Sequence, residues 1–171
     1  MDQPQDDPIN ALCELAEASG DSFQAVELNT KYRSALRVLS DLGAIEPGAP
    51  LRTVTCRACD GDHPVTVEFD TATRRHSYFC PEAGLVTVDD ADLATLRFNI
   101  GWLMEWLIRE LPIIAPVRRR ALVPGRVWHL GDGRCGDTLL TIVLARQVSN
   151  QSDLDLLASA GEPLCRPRGV D

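Results

Sequence analysis

Apolar residues recur along this chain with two periods, and the places where the period changes divide it into elements. Asp7-Pro8 supplies a helix start, with an acidic cap and proline at the first helical position. Ile9, Leu12, Cys13 and Ala16 then share one face, and Gly20 supplies a stop, so the pattern predicts a first helix with Cys13 buried. From Asp21 or Ser22 to Leu42 the apolar positions Ala25, Leu28, Tyr32, Ala35, Leu39 and Leu42 follow a 3–4 spacing. That stripe predicts one long amphipathic helix, packed inside its own chain or against a second copy. Gly43 ends it, and Glu46-Pro-Gly-Ala-Pro50 is a turn-rich connection.

The period then changes to two. Val65, Val67 and Phe69 alternate with polar residues, Thr71 to Arg75 form a turn, His76 to Phe79 return, and Leu85 to Val88 make a third β-branched run. These segments predict a three-stranded antiparallel sheet. Asp89-Asp90 cap a third helix through Leu93, Leu96, Ile100, Leu103 and Leu107. Trp102 and Trp106 form a core stripe beside these leucines, Asn99 and Gly101 mark a break, and Pro112 closes the helix. Beyond it, Ile113 to Pro116 is extended, Val123-Pro-Gly125 turns, Arg126 to Leu130 is a strand and Gly131 to Asp137 a loop. Thr138 to Val148 is apolar on both faces, which predicts a central strand. Ser152 with Asp155 forms a capping pattern for a last short helix through Ala160.

The expected fold class is therefore α+β: a small antiparallel β-ribbon flanked by amphipathic helices, with a C-terminal β-hairpin and a short helix. Three segments follow: helical over 1–50, ribbon over 51–90, and helix plus hairpin over 91–171, packing with the rest as one unit.

Composition narrows the function classes. The chain has 171 residues, enough for a real core, with 44% hydrophobic and 25% charged residues. No apolar run approaches the ~20 residues of a membrane span. The acidic, polar N-terminus is unlike a secretory signal, so a cytoplasmic location and no membrane partner are expected. The six cysteines then read as thiols or metal ligands rather than disulfides. A net charge of -8 argues for at most weak nucleic-acid binding, through a local basic patch.

The patch available is Arg118-Arg119-Arg120 with Arg126 nearby, able to contact phosphates or acidic partner surfaces. The strongest chemical signal lies earlier. Cys56-Arg-Ala-Cys59 points two thiolates at one centre, and Cys80 returns a third after a strand-like run. Zn²⁺ favours four Cys or His ligands at such spacings. The pattern resembles zinc-ribbon domains, in which two knuckles each contribute a ligand pair. The first knuckle matches, whereas Cys80-Pro-Glu-Ala83-Gly84 has alanine where the ribbon pattern places its fourth cysteine. The resemblance covers about residues 52–88 and implies a zinc-bound fold group, not an activity.

His63 and His76 compete for the fourth position. On a strand, four residues separate His76 from Cys80 by roughly 13 Å, too far for short side chains to share one ion. His63 follows Cys59 across the turn sequence Asp60-Gly61-Asp62, and Pro64 holds it extended beside the knuckle. The expected zinc ligands are therefore Cys56, Cys59, His63 and Cys80, with the His76 set as the alternative.

Other motifs read as structural. Gly131-Asp-Gly133-Arg-Cys-Gly136 has the dinucleotide-binding glycine spacing, but a β-prone run follows where that motif needs a helix. His129 with Cys135, and Ser77 with His76, show nothing that orients a base. The expected function is a non-enzymatic, zinc-binding protein-interaction module with a protein partner or second copy. The alternative is a nucleic-acid-associated regulator using the ribbon and the arginine run. It draws on Leu42-Gly43-Ala44-Ile45, where the end of the second helix resembles winged-helix regulators. A metal-assisted hydrolase at an open site is the remaining alternative.

Overall fold

A computed structural model describes residues 7–161, apart from the side chains of residues 116–119, 135, 160 and 161. The chain divides into two compact units. One holds residues up to Leu15 with Gly20–Asn99, and the other holds Ala16–Ser19 with residues from Ile100 onward. The secondary structure is α+β, with antiparallel sheets throughout.

In the first unit, α1 (Pro8–Glu17) buries Ala11 and Leu15. Cys13 is exposed, which corrects the buried thiol expected from the stripe. The cause is a polar contact that sets the helix's rotation. Glu14 accepts hydrogen bonds from the Tyr32 hydroxyl and the Lys31 ammonium, leaving the Ile9–Cys13 edge toward solvent.

The long helix expected from residue 21 or 22 to Leu42 is instead three elements: β1 (Ser22–Gln24), α2 (Ala25–Lys31) and α3 (Arg33–Asp41). Tyr32 separates the two helices with φ −135° and ψ 38°, outside the helical region. Leu28, Tyr32, Ala35 and Leu39 are nevertheless all buried. Ala25 is only half-buried and Leu42 is exposed, so the 3–4 spacing recorded burial in the middle of the stripe but not at its C-terminal end, and continuity incorrectly.

After β2 (Ile45–Pro47) the chain leaves for the ribbon, and it returns through α4 (Asp90–Leu93) into a strand at Thr95–Phe98. This return corrects the third helix. Thr95 and Phe98 are buried, and Arg97, Leu96 and Thr95 pair with Ser22, Phe23 and Gln24. The same strand pairs on its other side with β2, from Ile45↔Phe98 to Pro47↔Leu96. It becomes the middle of a three-stranded sheet and belongs with the first unit. The order is helix, strand, two helices, strand and a central return strand, with the ribbon inserted between β2 and the return strand.

The ribbon contains a hairpin of β3 (Thr53–Thr55) and β4 (Pro64–Thr66). A three-stranded antiparallel sheet follows: β5 (Glu68–Asp70), β6 (Arg75–Cys80) and β7 (Gly84–Val88). The alternating run from Val65 to Phe69 is split at Val67, whose N–H bonds to the Arg52 carbonyl. Phe69 is exposed rather than half-buried and lies against the His76 ring at 4.9 Å. The strand at Thr95–Phe98 is β8.

The second unit contains α5 (Ile100–Glu110), β9 (Ile113–Val123), β10 (Val127–Cys135), β11 (Thr138–Ala145) and α6 (Gln151–Gly161). Its core joins Met104 of α5 to Trp128 and Leu130 of β10. The Trp102 and Trp106 rings stack at 6.1 Å. The hairpin is present, but its details differ from expectation. β10 is the central strand and β11 lies at an edge, so apolarity on both faces did not mark the centre here. The expected loop from Gly131 is strand as far as Cys135, and the turn is confined to Gly136-Asp137.

The glycine pattern has a packing explanation. A Cβ at Gly133 would lie 2.6 Å from Ile142 Cδ1 and 3.1 Å from the Pro112 carbonyl oxygen, while Gly136 turns the hairpin at φ +58°. The cap of α6 is also shifted. Asn150 Oδ1 accepts from the Asp153 N–H at 3.0 Å, in place of the expected Ser152 cap. Among the described residues, no helix is long and apolar enough to cross a membrane.

Two outcomes follow. Gly133→Ala lowers the stability of the second unit by about 1–3 kcal/mol through overpacking, whereas Gly20→Ala, with nothing within 4 Å of the added methyl, does not. Urea unfolding of the two variants checks this. Asp153 supplies a pH dependence. The Ser149 N–H and then the Arg126 guanidinium hold its carboxyl at about 2, below the ordinary 3.8. Because the folded value is depressed, the stabilisation is complete above the ordinary value and is lost as pH falls toward 2. Amide exchange in α6 should accelerate selectively over that window, and Asp153→Asn should remove the pH dependence.

Candidate metal centre

The site is built from two backbone corners. Between β3 and β4 the chain carries Cys56, Cys59 and His63, and the Cys56 N–H bonds to the His63 carbonyl at 2.9 Å to close this loop. Cys80 is the last residue of β6, opposite Gly84 across a turn whose Ala83 N–H points at the Cys80 sulfur at 3.4 Å. Cys56 and Cys80 are almost wholly buried with Val65 and Tyr78.

One ligand atom from each of Cys56, Cys59, His63 and Cys80 lies within 4.8 Å of all the others, a cluster able to hold a metal ion. The Cys56 and Cys59 sulfurs are 3.6 Å apart. That is far beyond a disulfide, and it matches the edge of about 3.8 Å that a tetrahedron with 2.3 Å metal–sulfur bonds requires. His63 Nδ1 lies 3.7 Å from the Cys59 sulfur and 2.7 Å from the Gly61 carbonyl oxygen. With the proton on Nδ1 donated to Gly61, Nε2 keeps its lone pair. Nε2 is buried and has no hydrogen-bond partner among the described residues. In that tautomer, steered by a backbone carbonyl, Nε2 is the nitrogen left to bind a metal.

The thiols show the electrostatic cost of the cluster without a cation. Burial raises the Cys56 pKa, but the Ala58 backbone, the Tyr78 hydroxyl and the neighbouring thiols outweigh it and bring it down to about 7. At Cys59 the Gly61 backbone lowers the pKa. Burial and the Cys56 and Cys80 sulfurs outweigh that and push it up to about 11. One thiolate forms readily and disfavours the next, a conflict that a divalent cation removes. Tyr78 serves as the outer support. Its hydroxyl lies 3.6 Å from the Cys56 sulfur and accepts from the Arg57 N–H at 3.4 Å.

His76 stands apart from this cluster. Its Nδ1 contacts the Asp90 carboxylate at 2.7 Å. Asp90 and Phe69 account for its position. The remaining sequence candidates are dispersed. Arg126 bonds to the Gln147 carbonyl and to Asp153 at 2.6 Å, so its charge is engaged within the second unit. Arg120 is exposed on β9, and the side chains of Arg118 and Arg119 lie outside those described. His129 is buried, with Nε2 3.8 Å from the Asp132 carboxylate, and the Cys135 side chain is outside the description.

Sequence reasoning passed over Arg33 and Arg37. They are exposed one turn apart on α3, opposite its buried Ala35, Leu36 and Leu39. The chain's own 3–4 stripe held the signal, because it leaves the two arginines on the opposite face. No protein family, curated protein or solved structure matches this chain.

The geometry gives a direct contrast between the two histidines. His63→Ala should weaken metal binding by about 10–100-fold or more, and His76→Ala should leave it unchanged. Competition against a colorimetric chelator measures both.

Proposed function

We propose that this chain is a zinc-stapled module that binds duplex nucleic acid through α3. Three sulfurs and one imidazole within 4.8 Å of one another suit Zn²⁺, and four protein ligands would leave no open position for hydrolysis. The metal then has a structural role, holding the two ribbon corners together.

The observation that carries the nucleic-acid reading is the connectivity α1-β1-α2-α3-β2-β8 with sheet order β1-β8-β2. It gives α3 the position of the second helix of a helix-turn-helix, the one that enters the major groove. Arg33 and Arg37 on its outer face make no ion pair among the described residues, whereas Lys31 pairs with Glu14 and Arg97 with Glu46. The ribbon adds exposed arginines at 52, 57, 74 and 75. Against this stands the net charge of -8, which makes binding weak and strongly dependent on salt.

A specific observation favours a second reading, the protein-interaction module. Phe79 and Leu85 are cross-strand partners on the ribbon's outer face and are 69% and 76% exposed. They border a groove of about 440 Å³ with Pro64, Thr66, Glu68 and Ser77. An apolar pair beside a groove suits a protein ligand.

Zinc-loaded protein should bind a labelled DNA duplex at low salt, followed by fluorescence anisotropy. Arg33→Gln with Arg37→Gln should reduce the slope of log affinity against log salt by about 2, one for each arginine–phosphate pair removed. Zinc-loaded protein that binds no duplex at low salt would overturn this reading in favour of the protein-interaction module. A second outcome concerns the metal. Structural zinc contributes on the order of 10–16 kcal/mol of apparent binding energy in finger peptides. Strong chelator should therefore unfold the ribbon, and Cys56→Ser or Cys80→Ser should do so without chelator, as seen by near-ultraviolet dichroism.

A further inference from the structure

The two edges of the second unit's sheet are built in opposite ways. Strand order is β11-β10-β9, so among the described residues β9 and β11 each have one side without a strand. The β9 edge carries the usual defences against pairing. It contains Pro116, which has no N–H, and Arg118, Arg119 and Arg120, and its register with β10 shifts at three places. The β11 edge carries none of these. Thr138-Leu-Leu-Thr-Ile-Val-Leu-Ala145 has no charge, proline or glycine, and its register with β10 is unbroken from Gly131↔Ile142 to Cys135↔Thr138. In an antiparallel pair, alternate residues direct their backbone N–H and C=O groups away from the partner strand, so one side of β11 presents a row of such groups. Apolar side chains flank that row on both faces. Leu139 and Val143 are exposed on one face and Leu140 on the other, at 64%, 41% and 47%.

We infer that β11 is a homodimerisation edge, pairing antiparallel with β11 of a second copy to form a continuous six-stranded sheet. The strand's own sequence selects this occupant: antiparallel pairing with an identical copy sets only uncharged residues of β11 opposite one another, so no like charges are juxtaposed across the seam although each chain carries a net charge of -8. The alternative head-to-tail pairing of β11 with β9 would meet Pro116 and the arginines, so the association closes as a dimer and does not grow into a filament. A two-fold axis perpendicular to the sheet preserves its faces, and centred on Thr141 it places Leu139 opposite Val143 of the partner subunit. Leu140 then faces Ile142 of the partner subunit on the other side, which extends the row already packed on α5. This inference does not depend on the metal or on nucleic acid.

The test is sedimentation equilibrium of the full zinc-loaded chain across the micromolar range. The wild type should fit a monomer–dimer equilibrium. Leu139→Lys with Val143→Lys sets like charges directly opposite each other and should weaken it by about a hundredfold or more. Both side chains are exposed, so the melting temperature of the monomer should be unchanged. Hydrogen exchange on the wild type gives a readout that needs no variant: amide protection in β11 should rise with protein concentration while β9 stays constant. A chain that remains monomeric throughout, a dimer indifferent to both lysines, or concentration-independent exchange in β11 would overturn the inference.

Discussion

Convergence of Cys56, Cys59, His63 and Cys80 on one point is the constraint on which the ribbon depends. The buried residues around it are few: Val65 and Tyr78 join the two cysteines, with Val54, Val86 and Val88 partly covered. Burying a Val-sized side chain contributes about 1.5–3 kcal/mol, while ordering each residue costs about 1–2 kcal/mol in backbone entropy alone. So small an apolar cluster offsets only part of that cost for a segment of short strands and tight turns. The cluster brings together the β3–β4 loop and the end of β6, and a metal ion held there would tie these two pieces to each other. It would also resolve the competition among sulfurs that raises the Cys59 thiol while lowering that of Cys56.

The ribbon's position in the chain connects this staple to the rest of the first unit. It leaves from β2 and returns into β8, neighbours in one sheet, so its two ends are held close together. Thr95 reinforces the junction. Its carbonyl accepts from the Gly48 N–H at 2.9 Å, and its hydroxyl donates to the Ala49 carbonyl at 2.7 Å. With its ends held together in this way, the insertion leaves the paired helices α2 and α3, with their buried Leu28, Ala35, Leu36 and Leu39, on one side of the sheet junction and the four-residue cluster in the ribbon.

What was legible in the sequence was local chemistry. The knuckle at Cys56 and Cys59 was readable because its spacing is set within one turn, and His63 because Pro64 and the Asp-Gly-Asp turn restrict the backbone beside it. The three-stranded ribbon sheet was readable from its period of two. The misreadings arose where a distant partner decides the conformation. Ser22–Gln24 and Thr95–Phe98 continue a helical spacing and become strands only because they pair with each other from distant parts of the chain. Cys13 turns outward because Glu14 is claimed by Tyr32 and Lys31 from another helix. β11 carries the apolar content of a central strand at an edge, and nothing local distinguishes the two.

The central claim is a structural ion bound by three sulfurs and one nitrogen, and X-ray absorption at the zinc edge of the zinc-loaded protein tests it most directly. The account predicts three sulfur neighbours at about 2.3 Å and one nitrogen at about 2.0–2.1 Å, with no bound water. A shell dominated by oxygen, or one with two sulfurs and an open position, would contradict it.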